Sequence, residues 1–158
     1  MLIERGWRVT MADVDAARVI YYGSPLRWAE ILLGDWLAQL GHSISAMLGE
    51  NQAIPAVGVK VRYRSPLSLD DHCRLGLSAL RVGRTSFTIR CAVRGPRGDG
   101  AAVEVDTTHA YVRHDGHVPG RGVIFERQPL PTWLRKPLED DRGQSDETLE
   151  HGGKGGDR

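Results

Sequence analysis

Cysteine is scarce. The 158 residues contain two, Cys73 and Cys91, at a spacing that suits no metal site. Both fall in stretches that read as strands, where a reduced, packed thiol is expected. Long apolar runs are missing as well, so no membrane span is expected, and an N-terminal stretch charged at Glu4 and Arg5 is no signal peptide. The expected compartment is a reducing cytoplasm. A dominant charge is also lacking: 21 Lys and Arg oppose 20 Asp and Glu, for a formal net charge of +1. That balance gives no general attraction to nucleic acid or to a membrane surface. There is no internal repeat, Ser nucleophile elbow, P-loop or Rossmann glycine pattern. Six histidines do not cluster. His114 and His117 have a metal-compatible spacing but no third ligand nearby, and they read as turn residues. No metal and no cofactor is expected.

What is present is a chain with 41% apolar residues, long enough for one domain with its own core. It divides at about Pro129. Residues 1–128 read as the domain. Residues 129–158 read as a C-terminal extension, because Pro129, Pro131, Pro137 and a late Gly/Asp/Glu/Lys mixture offer little apolar surface. Gln144 to Arg158 is expected to be disordered. Trp133 and Leu134 are the residues with which the extension could dock.

The stretch from Thr10 to Gly41 organises the rest. An extended segment, Ile3 to Met11, leads into Asp13-Val14-Asp15 and then an apolar turn ending at Tyr21-Tyr22-Gly23. Ser24 reads as an N-cap and Pro25 as the first helical residue. Apolar residues recur at Leu26, Ala29, Leu33, Leu37 and Leu40, a helical period, and Gly41 is placed to end the helix. Trp28, Ile31 and Leu32 lie off that stripe, so the helix expects cover on several sides. His42 to Gln52 is a looser link. Ile54 to Arg64 alternates strongly and reads as a strand, with Val57, Val59, Val61 and Tyr63 on one side. After a turn-rich break at Ser65 to Asp71, His72 to Arg81 and Thr85 to Arg94 read as strands joined at Val82-Gly83-Arg84. Gly95 to Gly100 is a hairpin loop by composition, and Ala101 to Arg113 is the last long strand. The order is one strand, one helix and four strands, with short loops that make the last three an antiparallel meander. One helix on one antiparallel sheet is an α+β architecture.

Asp13-x-Asp15, Tyr22 seven residues beyond Asp15, then Ser24-Pro25 and Arg27-Trp28-Ala29-Glu30 together resemble the hotdog-fold acyl-CoA thioesterases. The resemblance is to the 4-hydroxybenzoyl-CoA thioesterase-like branch and covers roughly Ile3 to Arg113. It implies a hotdog fold, in which a sheet of about five antiparallel strands wraps a long central helix. Two positions depart from the branch: Arg18 stands where Gly is usual, and Ser24 where Asn is usual.

Thioester cleavage needs a carboxylate to attack or to activate water, facing donors that stabilise the oxyanion. Asp15 lies shortly before a helix N-terminus, whose amides point outward and carry partial positive charge. Spacing alone leaves Asp15 equally consistent with a solvated Asx-turn. The resemblance makes Asp15 the catalytic carboxylate and Tyr22 the residue whose backbone N–H polarises the carbonyl. It leaves Asp13 to hold the turn. Glu30 is the alternative carboxylate, because another hotdog branch carries its acid on the helix. A buried Glu30 would need a partner, and Arg27 is in reach, so a structural ion pair or a subunit-interface contact is the expectation there. Arg81, Arg84, Thr85 and Ser86 resemble the basic turn with which the branch grips the CoA phosphates. As sequence alone they also fit a solvated hairpin. Arg62, Arg64 and Arg113 could extend that patch.

The resemblance implies hydrolysis of an aryl- or small acyl-CoA to free acid and CoA, in a homo-oligomer, dimer or tetramer, with sites at the subunit interface. Two alternatives stand beside it. One is a thioesterase of the same fold acting on acyl carrier protein or polyketide substrates. The other is a non-catalytic acyl-CoA-binding assembly subunit.

Overall fold

The structure is a computed structural model that describes residues 1–98, 100–118 and 122–151. Strand β1, Ile3–Arg8, leads through a 3-10 turn at Met11–Asp13 to helix α1, Ser24–Gln39. Helix α2 is short, Ile44–Gly49, and strand β2 is Gln52–Ala53. The long strands follow: β3 Ala56–Tyr63, β4 His72–Val82, β5 Ser86–Arg94 and β6 Val103–Ala110. Strands β7, Val112–Val118, and β8, Gly122–Arg127, precede helix α3, Thr132–His151.

The main sheet has five strands in the order β1-β4-β5-β6-β3, and every pairing is antiparallel. The expected meander is β4-β5-β6. Alternation sets the inner face: Cys73, Leu75, Leu77 and Ala79 on β4, and Phe87, Ile89, Cys91 and Val93 on β5, are all buried. Helix α1 lies on that face, with Trp28, Leu32 and Leu37 sealed from solvent. This is the hotdog arrangement, an α+β fold. Both cysteines are free and buried, and desolvation pushes Cys73 up to about 11 and Cys91 up to about 12.

Gly41 is left-handed at φ 82°, the Gly41 amide donates to Ala38 O at 3.0 Å, and the His42 amide donates to Leu37 O at 2.9 Å. That paired closure is the Schellman motif, which glycine permits at no steric cost. The start differs from expectation. Gly23 is the cap, and Ser24 is already inside the helix, its hydroxyl donating instead to the Asp13 carbonyl at 2.8 Å.

Three features were not legible. The stretch read as one strand from Ala101 breaks at Tyr111, and β7 leaves the main sheet to form a second sheet of order β2-β7-β8. His114 and His117 therefore lie in a strand, not in a turn. The Gly95–Gly100 loop includes Asp99, which lies outside the described residues. The third feature is α3. It continues through Gln144 to His151, where disorder was expected, and residues 152–158 lie outside the described ones. Leu130, just ahead of the helix, is buried, as are Leu134 and Leu138, four apart on one helical face, and the helix packs on β4. Trp133 stacks on His42 with ring centroids 3.8 Å apart. Pro137 sits inside α3 at the loss of one ladder bond, which the buried leucine face offsets. No helix among the described residues is long and apolar enough to cross a membrane.

The extension is thus part of the core. Leu134→Ala is expected to lower stability by about 2–4 kcal/mol in urea unfolding. A loss under about 0.5 kcal/mol, the range of ordinary surface changes, would show that the helix does not dock in solution.

Candidate active site

Asp13 is fully buried and accepts hydrogen bonds on both carboxylate oxygens. Oδ2 takes the Thr10 amide at 2.8 Å and the Thr10 hydroxyl at 2.7 Å. Oδ1 takes the Trp28 indole N–H at 2.9 Å and the Arg27 guanidinium. Its backbone carbonyl accepts the Tyr21 amide at 2.7 Å as well as the Ser24 hydroxyl. One residue thereby ties the incoming strand, the aromatic pair and the first turn of α1 together. Burial alone would raise the carboxyl's pKa. The Thr10 and Trp28 hydrogen bonds and the Arg27 charge outweigh it and hold the group below the usual carboxylate range.

Asp15 stands on the exposed hairpin that follows. Val14 bridges Ile20, the Asp15 amide donates to Val19 O at 3.0 Å, and the Arg18 amide donates to Asp15 O at 3.0 Å. Asp15 Oδ1 accepts the Ala17 amide at 2.8 Å. The Asx-turn is therefore real, and it holds an exposed carboxylate in a fixed attitude. Arg18 adopts φ 63°, the left-handed conformation that accounts for glycine at this place in the branch. The hairpin is anchored below by the Ile20 amide on Leu67 O at 2.9 Å.

Tyr22 is exposed, with its ring 4.4 Å from that of Tyr21, and its carbonyl accepts the Tyr63 hydroxyl. Among the described residues the Tyr22 and Gly23 amides have no acceptor, and they lie at the positive end of α1. A cavity of about 340 Å³ is lined by Val19, Ile20, Tyr63, Arg64, Ser65 and Pro66. Asp15 lies on the hairpin that leads into Tyr22, and the Asp13 carbonyl closes that hairpin through the Tyr21 amide.

Glu30 corrects the expectation of a buried acid. It is exposed, and Arg27, its supposed partner, has turned back to Asp13. Glu30 instead borders a groove of about 220 Å³ between α1 and the sheet, with Leu26, Val59, Thr107 and His109 among the lining. His109 is buried and satisfied. Nδ1 lies 2.9 Å from Ile54 O, an acceptor only, so Nδ1 carries the proton and Nε2 accepts the Thr107 hydroxyl at 3.0 Å. Desolvation lowers its pKa, outweighing the Ile54 bond, and so keeps the ring neutral near pH 7.

Arg81 and Arg84 are exposed, while Thr85 and Ser86 are half-buried. The turn closes through the Gly83 amide on Ser86 O at 2.8 Å. Arg135 of α3, unmarked in the sequence by any motif, donates to Gly83 O at 2.9 Å and Arg84 O at 3.3 Å. Arg62 and Arg64 do not join this patch. They sit on the outer face of the sheet in a ladder with Arg90, Glu104 and Asp106, in which Arg90 grips Asp106 with two bonds of 2.6 and 2.8 Å. Arg113 lines a different cavity, with Glu50 and Gln52. Within one chain the basic turn does not meet Asp15. The hairpin lies against the start of β4 and the turn at its end, roughly 30 Å away along the strand.

Comparison with known proteins agrees with this fold. The family model described as "Thioesterase superfamily" matches residues 17–117, a span that includes Tyr22, Glu30 and the basic turn and begins just past Asp15. A 1,4-dihydroxy-2-naphthoyl-CoA hydrolase of Thermosynechococcus vestitus is 28% identical over 139 residues, covering 87% of this chain and 92% of that protein. The crystal structure of a Synechocystis 1,4-dihydroxy-2-naphthoyl-CoA thioesterase superposes with a TM-score of 0.72 at 19% identity, covering 87% of this chain and 95% of that one. A gentisyl-coenzyme A thioesterase gives 0.70 at 19% identity, covering 84% and 99%.

Asp13→Ala strands the buried Trp28 and Thr10 donors and is expected to cost on the order of 3 kcal/mol. Because its folded-state pKa is depressed, Asp13 stabilises the fold above its unfolded value of about 3.9 and loses that effect as pH falls through the lower, folded-state value. A pH series of urea midpoints should show a flatter acid limb for Asp13→Asn than for wild type. Superimposable limbs would remove Asp13 as the source.

Proposed function

The chain belongs to the thioesterase superfamily, and we propose that its hairpin–helix junction cleaves an aryl-CoA thioester to the free acid and CoA. It is a thioester hydrolase. The single observation that carries the site assignment is an exposed carboxylate held on the hairpin that leads directly into unengaged amides ahead of α1. Asp15 supplies the carboxylate. As nucleophile it bonds to the carbonyl carbon, the CoA thiolate leaves, and water then cleaves the anhydride and restores Asp15. As base it takes a proton from the attacking water. On either route negative charge builds on the carbonyl oxygen, and the Tyr22 amide with the α1 dipole receives it. A donor so placed contributes about 3 kcal/mol to the transition state. No cofactor is called for. The relatives named for dihydroxynaphthoyl- and gentisyl-CoA support an aromatic acyl group.

A homo-oligomer follows from the same reading. The thioester sits at the hairpin and the CoA phosphates at the basic turn, but one chain holds these at opposite ends of β4. The turn at each site then belongs to a second copy. The surface for it is β3, an edge strand whose Val57 and Val59 are each 53% exposed. Two buried, reduced thiols support a cytoplasmic setting.

Asp15→Asn is expected to keep the fold and lower kcat by about a thousandfold, roughly 4 kcal/mol, on a panel of aryl-, short- and medium-chain CoA esters and one acyl-carrier substrate. If Asp15→Asn stays near wild type while Glu30→Gln abolishes turnover, the acid is Glu30. A clear preference for the acyl-carrier substrate would reassign the carrier.

Shared sites make a separate demand. Random dimers formed from Asp15→Asn chains and Arg81→Ala/Arg84→Ala chains contain one wholly intact site in about four. At low substrate their rate should reach about a quarter of wild type, well above either parent. A rate equal to the parents' average would show that each site is built from one chain.

A further inference from the structure

Helix α3 has no part in the chemistry above, yet Arg135 and Asp141, with Leu130 just ahead of the helix, reach the segment Ala79 to Ser86, Asp141 also pairing with the Met1 ammonium. At the near end, β4 carries a bulge between Ala79 and Arg81, and the buried Asp141 accepts the Ala79 amide there at 2.8 Å. At the far end, Arg135 Nη2 donates to Gly83 O and Arg84 O, while its Nη1 donates to Glu139 at 2.9 Å. The Leu130 amide, just ahead of the helix, donates to Arg84 O at 2.9 Å. Leu134 and Leu138, fully buried between these anchors, keep the helix from shifting.

The physical effect is on aim. A bulge re-directs the side chains that follow it, and here the next paired residue is Arg81, opposite Thr88. Turn carbonyls carry partial negative charge and would repel a phosphate. Here those of Gly83 and Arg84 are drawn to the Arg135 guanidinium. Among the described residues Arg81 and Arg84 have no ion-pair partner, so both remain available. A planar fork holding two carbonyls and one carboxylate is fixed in direction in a way that an ammonium is not.

We propose that α3 is a splint for the phosphate-gripping turn, with Arg135 as a positioning residue that sets the backbone of Gly83 and Arg84. The proposal rests on reading Arg81, Arg84, Thr85 and Ser86 as that grip. Arg135 acts through the turn and does not touch substrate.

The test is steady-state kinetics of the full-length protein on a CoA ester and on the same acid joined to a short thiol lacking the nucleotide. Arg135→Ala should raise KM for the CoA ester about tenfold. It should leave kcat within about twofold, with the short thioester unaffected. Arg135→Lys keeps the charge but not the fork, and most of the rise should persist. Arg81→Ala/Arg84→Ala should itself raise KM for the CoA ester at low salt, and adding Arg135→Ala to it should change nothing further.

An unchanged KM in Arg135→Ala overturns the proposal. So does equal loss on both substrates, which marks simple destabilisation, and so does full recovery in Arg135→Lys, which makes charge alone sufficient. Additive effects with the double variant would make Arg135 a substrate ligand rather than a positioning residue. A double variant with normal KM refutes the turn as the grip. If Arg135→Ala still raised KM in that case, positioning through Arg81 and Arg84 would be refuted too.

Discussion

The burial of one ionised carboxylate constrains everything around the candidate site. Asp13 sits where water cannot solvate it, so the fold must supply every donor it needs. Thr10 comes from the end of β1, Arg27 and Trp28 from the second turn of α1, and the Asp13 carbonyl takes Tyr21 and Ser24. None of these partners can move without leaving a charge or a donor stranded. Trp28 is also one of the largest side chains in the core, so the same indole fixes the helix against the sheet and the hairpin against the helix. Breaking a buried pair by removing one partner costs more than the pair is worth in isolation, which is how a single polar residue governs local geometry.

That constraint divides the labour between the two aspartates. Asp13 has its donors on all sides and is spent on structure. Asp15, two residues later, takes one amide and faces solvent. Both would look alike to a pattern of acidic residues in a loop. The difference lies in the chain's reversal at Arg18, which leaves the second carboxylate exposed on the hairpin ahead of Tyr22 and Gly23.

Much of the scaffold was legible because its signals are local. Pro25 and Gly41 bracket α1 through backbone preferences that act within a few residues, and the period of two in β5 buries Phe87, Ile89, Cys91 and Val93 together. The rest depends on contacts distant in sequence. Alternation marked β3 as a strand, but nothing local could say that it lies at the sheet edge with Val57 and Val59 uncovered. Glu30 looked buried because its neighbours are apolar. It lies on the open side of α1, and Arg27 pairs with Asp13, fourteen residues back, instead. Helix α3 was masked by its prolines and charges. Four buried residues, Leu130, Leu134, Leu138 and Asp141, are enough to seat it, and their meaning appears only once β4 is beneath them.

The ladder on the outer face of the sheet constrains what can pack there. Arg62, Arg64 and Arg90 alternate with Glu104 and Asp106 across three neighbouring strands, and the two acids are already only 14% and 13% exposed. A flat apolar partner laid on this face would strip the remaining water from five charges and return no hydrogen bonds. Such a surface rejects greasy, indiscriminate contacts. It tolerates only a partner whose own charges interleave with it, residue for residue. The back of the sheet therefore behaves as a selective lock, and unspecific association is left to the surfaces that carry no such code.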